Sequence, residues 1–204
     1  MDNRFVGVVS VSLLLTALTL SGCGRSAPTR YYILSSLKDA SQPKAETKTG
    51  SDIAIGIGPV KVPGYLNRPQ IVSRGGQNEL VVAKFDRWGG ALQEDVAGVI
   101  AENLSLLLPT DKVYVYPWMP NIPLDFAVTV DITRLDGVLG GDVVLHARWV
   151  VTGVDWKEVF EKRSGRYIES AGGAGYGDFV AAQSRLLGKL SEDIAASIRD
   201  ASSR

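Results

Sequence analysis

The residues able to do chemistry are few and widely spaced. His146 is the only histidine and Cys23 the only cysteine in 204 residues. A metal centre usually draws several ligands from histidine, cysteine and carboxylates, and here no second imidazole or thiol can join them. Strand alternation places His146 with Val144, Arg148 and Val150, the setting of a solvated or hydrogen-bonded side chain. Gly172-Gly173-Ala174-Gly175-Tyr176-Gly177 has the composition of a loop that cradles phosphate before a helix. It lacks the Gly-Lys-Ser/Thr ending of a P-loop, and no acidic residue follows at dinucleotide spacing, so it reads as a turn into the last helix. Glu94-Asp95 and Glu192-Asp193 are adjacent carboxylates. Neighbours on a helix point apart, so neither pair makes an acid/base dyad. Ser164 and Ser191 show no nucleophile elbow. The expectation is a protein with no catalytic residue, no metal and no cofactor, and a hydrolase is disfavoured for want of nucleophile, base and metal ligands.

Cys23 has a different chemistry. Arg4 precedes an apolar stretch from Val6 to Leu20, and the small pair Ser21-Gly22 leads directly into the thiol. A positive start, about 7–15 apolar residues and small residues at a cut make a secretory signal; a permanent span of the bilayer needs about 20. Leu20-Ser21-Gly22-Cys23 resembles the lipobox of bacterial lipoproteins. The resemblance implies a signal peptide over 1–22, a diacylglyceryl group on Cys23, and a second acyl chain of the palmitate type on the new amine. Each buried methylene contributes about 0.8 kcal/mol and stable attachment takes about two chains, so such an anchor holds firmly. Gly24 stands where enterobacterial sorting rules place Asp for inner-membrane retention, which implies the outer membrane, facing the periplasm.

The chain beyond Gly22 is long enough for one medium domain with a real core. Lys and Arg number 22, as do Asp and Glu, for a formal net charge of zero. That balance argues against a nucleic-acid partner, which would favour a basic excess. Residues 23–30 form a short lipidated tether, 31–204 a single domain, and 35–52, polar and aperiodic, a mobile loop within it.

Strand signals then arrive in order. Tyr31 to Leu34 reads as a first short strand, and Ile53, Ile55 and Ile57 alternate with small residues. Gln70–Ser73 and Leu80–Trp88 flank a turn-rich connection and make a hairpin. Lys112–Trp118 is another strand. Phe126 to Ile132 alternates and pairs, across Gly140-Gly141, with Val143–Val151. Lys157–Arg163 and Arg166–Ser170 read as a further pair about Ser164-Gly165. Leu92, Val96, Ile100, Leu104 and Leu107 recur at helical spacing with Glu94 and Asp95 in the first turn, and Pro109 stops the run. Phe179 to Ile198 carries a second such stripe with Asp178 as N-cap. The expected fold class is α+β: one mostly antiparallel mixed sheet with two long helices packed on one face.

One segment has the composition of a contact surface. Pro63-Gly64-Tyr65-Leu66-Asn67-Arg68-Pro69 sets an aromatic, an aliphatic and an arginine on a rigid turn. Tyrosine and arginine are enriched at interface hot spots, and prolines lower the ordering cost of binding. The same residues suit a turn whose Tyr65 and Leu66 fold back on the core. Trp88 and Trp118 could extend a patch or pack inside.

Tyr31-Tyr32-Ile33-Leu34 just past the cysteine, Ile55-Gly56-Ile57-Gly58-Pro59-Val60, the run Val62-Pro63-Gly64-Tyr65-Leu66-Asn67-Arg68-Pro69-Gln70-Ile71-Val72, and Arg87-Trp88 before a helix together resemble the PqiC/YmbA family. The likeness runs from about Cys23 to Asp200; Gly89-Gly90-Ala91 departs from it, since relatives often carry an acidic residue or proline there. These are auxiliary lipoproteins of ABC-type transport. The resemblance implies a non-enzymatic outer-membrane lipoprotein that docks a mammalian-cell-entry (MCE) protein tunnel for lipid transport and supports membrane integrity, with a homo-oligomeric state. Tyr65, Leu66, Arg68 and Trp88 are the candidate partner interface. The alternative is a carrier of lipid or another hydrophobic ligand acting without an MCE protein, which would need a sizeable apolar pocket.

Overall fold

Alternating β-branched residues make the long strands and three-to-four apolar spacing makes the helices. The computed structural model of the protein describes residues 27–37, 53–108, 110–119, 121–153 and 158–203. The signal peptide, Cys23, most of the expected mobile loop and Pro109 lie outside the described residues. In chain order the elements are β1 (Arg30–Tyr32), β2 (Ile55–Lys61), a single 3-10 turn (Gly64–Leu66), β3 (Gln70–Arg74), β4 (Leu80–Trp88), α1 (Leu92–Leu107), β5 (Val113–Val115), β6 (Phe126–Gly137), β7 (Asp142–Thr152), β8 (Val159–Ser170) and α2 (Tyr176–Ser202).

The class is α+β, but the strands form two sheets where one was expected. β1-β4-β3 is a three-stranded sheet, and β5-β2-β6-β7-β8 a five-stranded one. The prolines explain the split. Pro63 and Pro69 bracket the 3-10 turn and carry the chain off the end of β2, so β3 pairs with β4 and not with β2. The long ladders β6–β7 and β7–β8 are antiparallel; β1–β4, β2–β5 and β2–β6 run parallel.

Both helices lie on one face of the larger sheet, as expected. Ile57, Val128 and Val151 are cross-strand partners in one row, and all three are fully buried. Two residues along, on the same face, Trp149 donates its indole N–H to Ser197 Oγ of α2 at 3.1 Å. α1 and α2 contact each other and share a core with residues of both sheets. Each helix buries one stripe, Val96, Ile100 and Leu104 on α1 and Phe179, Leu186, Leu190, Ile194 and Ile198 on α2.

Two local expectations change. β8 is one continuous strand, not a hairpin about Ser164-Gly165. Gly165 sits opposite Ala147, and the ring of Tyr167 crosses it on its way to Asp193, whose carboxylate accepts the phenol proton at 2.5 Å. A Cβ at Gly165 would come within 2.6 Å of Tyr167 Cζ; the glycine marks a close approach, not a turn. α2 begins at Tyr176 after Gly175, which has no side-chain cap. Asp178 lies inside its first turn, where a carboxylate favours the positive end of the helix.

Candidate functional site

The proline-bracketed turn is held by its own backbone. Leu66 N–H donates to Pro63 O at 2.9 Å and Asn67 N–H to Gly64 O at 3.2 Å. Trp88 N–H donates to Pro69 O at 2.8 Å, so Trp88 arrives at the end of the turn. Upstream, Gly58 has φ +129°, and a Cβ there would lie 2.6 Å from that of Tyr116; both facts demand glycine.

These contacts gather the candidate residues at one corner and divide them between core and surface. Leu66 is 2% exposed and Trp88 5%, so their side chains are core, a correction to their place in an outer contact patch. The tight turn aims Leu66 inward, and the backbone bond to Pro69 seats Trp88 beneath it. Tyr65 is half-buried, and Arg68 is exposed. Trp118 is half-buried and meets Tyr116 edge-on with ring centroids 5.5 Å apart.

The centre of this corner is a carboxylate that sequence reading passed over. Asp136 of β6 has a fully buried side chain. It accepts hydrogen bonds from Tyr65 Oη at 2.5 Å, Arg74 Nε at 2.5 Å, Arg74 Nη2 at 3.0 Å and Arg134 Nε at 2.8 Å. Burial pushes the carboxyl pKa upward, but the bonds from Arg74, Tyr65 and Arg134 outweigh it and hold Asp136 below the ordinary aspartate value. Tyr65 moves the other way: burial, then the bond to Asp136, push its phenol up to about 12. The turn, the β3–β4 hairpin and β6 are thereby tied through one charged centre. Arg74 is the one residue whose charge could have been suspected from its place beside a turn; nothing in the alternation of β6 marks Asp136.

A second set of contacts fixes the segment that leads in from the tether. Leu34 N–H donates to Asp95 Oδ2 at 2.9 Å, Ser35 N–H to Ser184 Oγ at 3.0 Å, and Leu37 N–H to Asn103 Oδ1 at 2.8 Å. Asp95 and Asn103 belong to α1 and Ser184 to α2, so the helix layer catches the incoming backbone. Asn103 is fully buried and also donates to Ser191 Oγ at 3.2 Å. Desolvation raises the Asp95 pKa against the opposing pull of the Leu34 N–H.

Other surface features suit contact more than chemistry. Leu80, Val81 and Val82 are consecutive on β4 and each about two-fifths exposed, so the outer half of the β3–β4 hairpin shows apolar side chains on both faces. Tyr116 and Met119 are exposed as well. A recess of about 270 Å³, lined by Ile53, Ile55, Leu108 and Ile198, falls below the roughly 300–1,000 Å³ of small-molecule sites. Among the described residues no three or more His, Asp or Glu side chains gather as metal ligands. No helix among them is long and apolar enough to cross a membrane.

Residues 32–195 match the model of the ABC-type transport auxiliary lipoprotein component family. Intermembrane transport lipoprotein PqiC of Escherichia coli is 24% identical over 138 residues, covering 67% of this chain and 71% of PqiC, and PqiC of Shigella flexneri matches equally. Among solved structures, an uncharacterized protein superposes with a TM-score of 0.68 at 20% identity, over 84% of this chain and 99% of its own. A protein from Xanthomonas campestris gives 0.64 at 11% identity, over 86% and 100%. At such identities these two structures speak for the fold alone.

Proposed function

The chain belongs to the family of ABC-type transport auxiliary lipoprotein components, and from that membership we propose that it is a non-enzymatic lipoprotein of the outer membrane. Anchored through acylated Cys23 and facing the periplasm, it docks the MCE-domain protein of an intermembrane lipid transport system, acts as a homo-oligomer, and supports envelope integrity. The observation that carries this reading is the extent of the family match, which runs from β1 to the last turns of α2. The surface agrees with it. Exposed Arg68 beside half-buried Tyr65, and the apolar side chains of Leu80, Val81 and Val82, offer contact area on a rigid corner. The backbone catches at Leu34, Ser35 and Leu37 suit a domain held close to its anchor.

The test is capture from membranes. Crosslinking the native lipoprotein is expected to recover an MCE protein, and Cys23→Ser or globomycin is expected to block maturation, so that the uncleaved precursor accumulates. Unchanged processing under both treatments would rule out the anchor. Recovery of no MCE protein, with a deletion strain of normal envelope integrity, would rule out the docking role.

A further inference from the structure

The face of the five-stranded sheet away from the helices carries a charge pattern that extends beyond the Asp136 centre beneath the turn. Register fixes its rows. Lys61 of β2 lies opposite Asp131 of β6, Asp131 opposite Arg148 of β7, and Arg148 opposite Ser164 of β8. Thr129, Val150 and Lys162 form the next row on one side; Arg134, His146 and Arg166 form the next on the other. The helices pack on the far side of the sheet, through Trp149 and Ser197. A half-covered antiparallel sheet turns polar residues outward, but nothing in that rule selects one sign.

Here one sign dominates. The chain as a whole is neutral, yet five cations, Lys61, Arg134, Arg148, Lys162 and Arg166, share this face with three carboxylates, Asp131, Asp136 and, at its far end, Asp142. Asp136 is consumed by Arg74 and Arg134, and Asp131 by Arg148 Nη2 at 2.5 Å. The side chains of Lys61 and Lys162 make no ion pair or hydrogen bond among the described residues. Between them the surface is concave, a hollow of about 340 Å³ lined by Pro59, Lys61, Thr129, Asp131, Arg148, Val150 and Lys162.

We propose that this hollow binds the phosphate of an anionic phospholipid headgroup, with Lys61 and Lys162 as its charged partners and the Thr129 hydroxyl as a neutral donor. Lysine serves phosphate as a flexible point charge, and Pro59 and Val150 give the adjoining glycerol an apolar wall. The size of the hollow favours a headgroup over an acidic protein, whose docking would bury about 800 Å² on each partner. The site stands on charge and shape; only the choice of lipid over free phosphate as the source of the anion rests on the membrane-bound function proposed above.

The chain's sole histidine reports on this face. Arg166 Nε donates to His146 Nε2 at 3.1 Å, so the neutral ring accepts. Burial first, then the charges of Arg134 and Arg166, lower the His146 pKa against the upward pull of Asp136. An anion held between Lys61 and Lys162, one to two rows away, opposes those cations and raises it.

The experiment follows the His146 ring proton by NMR in untagged, full-length, acylated protein in non-ionic detergent, from about pH 5 to 8. Short-chain phosphatidylglycerol is expected to move the titration upward saturably, and phosphatidylcholine is not. Lys61→Glu/Lys162→Glu, checked for an unchanged melting temperature, is expected to weaken the effect at least about tenfold; Lys84→Glu on the other sheet leaves it intact. Equal binding of the two lipids, or wild-type affinity in the double variant, overturns the site. Inorganic phosphate binding as tightly as phosphatidylglycerol overturns the lipid source. Loss of MCE capture by the double variant, with no lipid response in the wild type, makes the face a protein-docking surface and overturns the proposal. The NMR readout needs no MCE protein, so this site and the docking role can fail separately.

Discussion

Tyr65 donates its phenol proton to Asp136 at 2.5 Å across 71 positions of sequence, and with Arg74 this bond anchors the proline-bracketed turn to the large sheet. Its own backbone bonds shape the turn, and a buried carboxylate on β6 fixes it to the sheet from below. Its placement on the sheet is therefore a tertiary property.

Removing that carboxylate strands two guanidinium groups and a phenol. Asp136→Ala is expected to cost roughly 3–5 kcal/mol, as for other broken buried ion pairs. Tyr65→Phe, which loses one bond to a charged acceptor, is expected to cost about 1.5–3 kcal/mol. Urea denaturation of the two single variants and the double variant measures the coupling. Strictly additive effects would mean that the bond contributes nothing of its own.

The same carboxylate gives stability a dependence on acid. Asp136 has a pKa below that of the unfolded chain, so the folded state binds fewer protons there. Its contribution is present above the unfolded value of about 3.9 and is lost as pH falls through the lower folded value. Unfolding followed from about pH 5 to pH 2 should show a steeper loss in the wild type than in Asp136→Asn. Parallel curves would remove Asp136 as the source.

Leu66 and Arg68 should separate folding from contact. Leu66→Ala empties a buried site and is expected to destabilise by about 2–5 kcal/mol. Arg68→Ala, on an exposed side chain, is expected to stay within about 0.5 kcal/mol while reducing partner capture from membranes. Undiminished capture by a stable Arg68→Ala protein would leave the turn a purely structural element.

Asn103 links the incoming segment to both helices. Asn103→Ala removes the acceptor of Leu37 N–H and the donor to Ser191, and a cost of about 1–3 kcal/mol is expected. Hydrogen exchange at Leu37 should quicken well beyond that of the α1 core. Unchanged protection at Leu37 would show that packing alone holds the segment.

The chain's local periodicities determined much of this protein before any contact was known. Alternation from Phe126 to Ile132 and Val143 to Val151, and the apolar stripes of α1 and α2, specify their elements because burial on one face imposes a period on near neighbours. The expectation of an attachment site at Cys23 rests on a motif resemblance and falls outside the described residues, whereas the proline-bracketed turn is present as a 3-10 turn. Pairing and close approach are not local, and there the tertiary structure decided. Whether β3 and β4 join β2 or form a sheet with β1 depends on partners far apart in the chain. Gly165 reads as a turn until the ring of Tyr167 lies over it, and Asp136 is one more polar residue in a strand until Tyr65 and Arg74 arrive from 71 and 62 positions away. The collection of cations on the open sheet face is of the same kind, since a neutral composition acquires a sign only when register gathers Lys61, Arg148 and Lys162 from three strands onto one side.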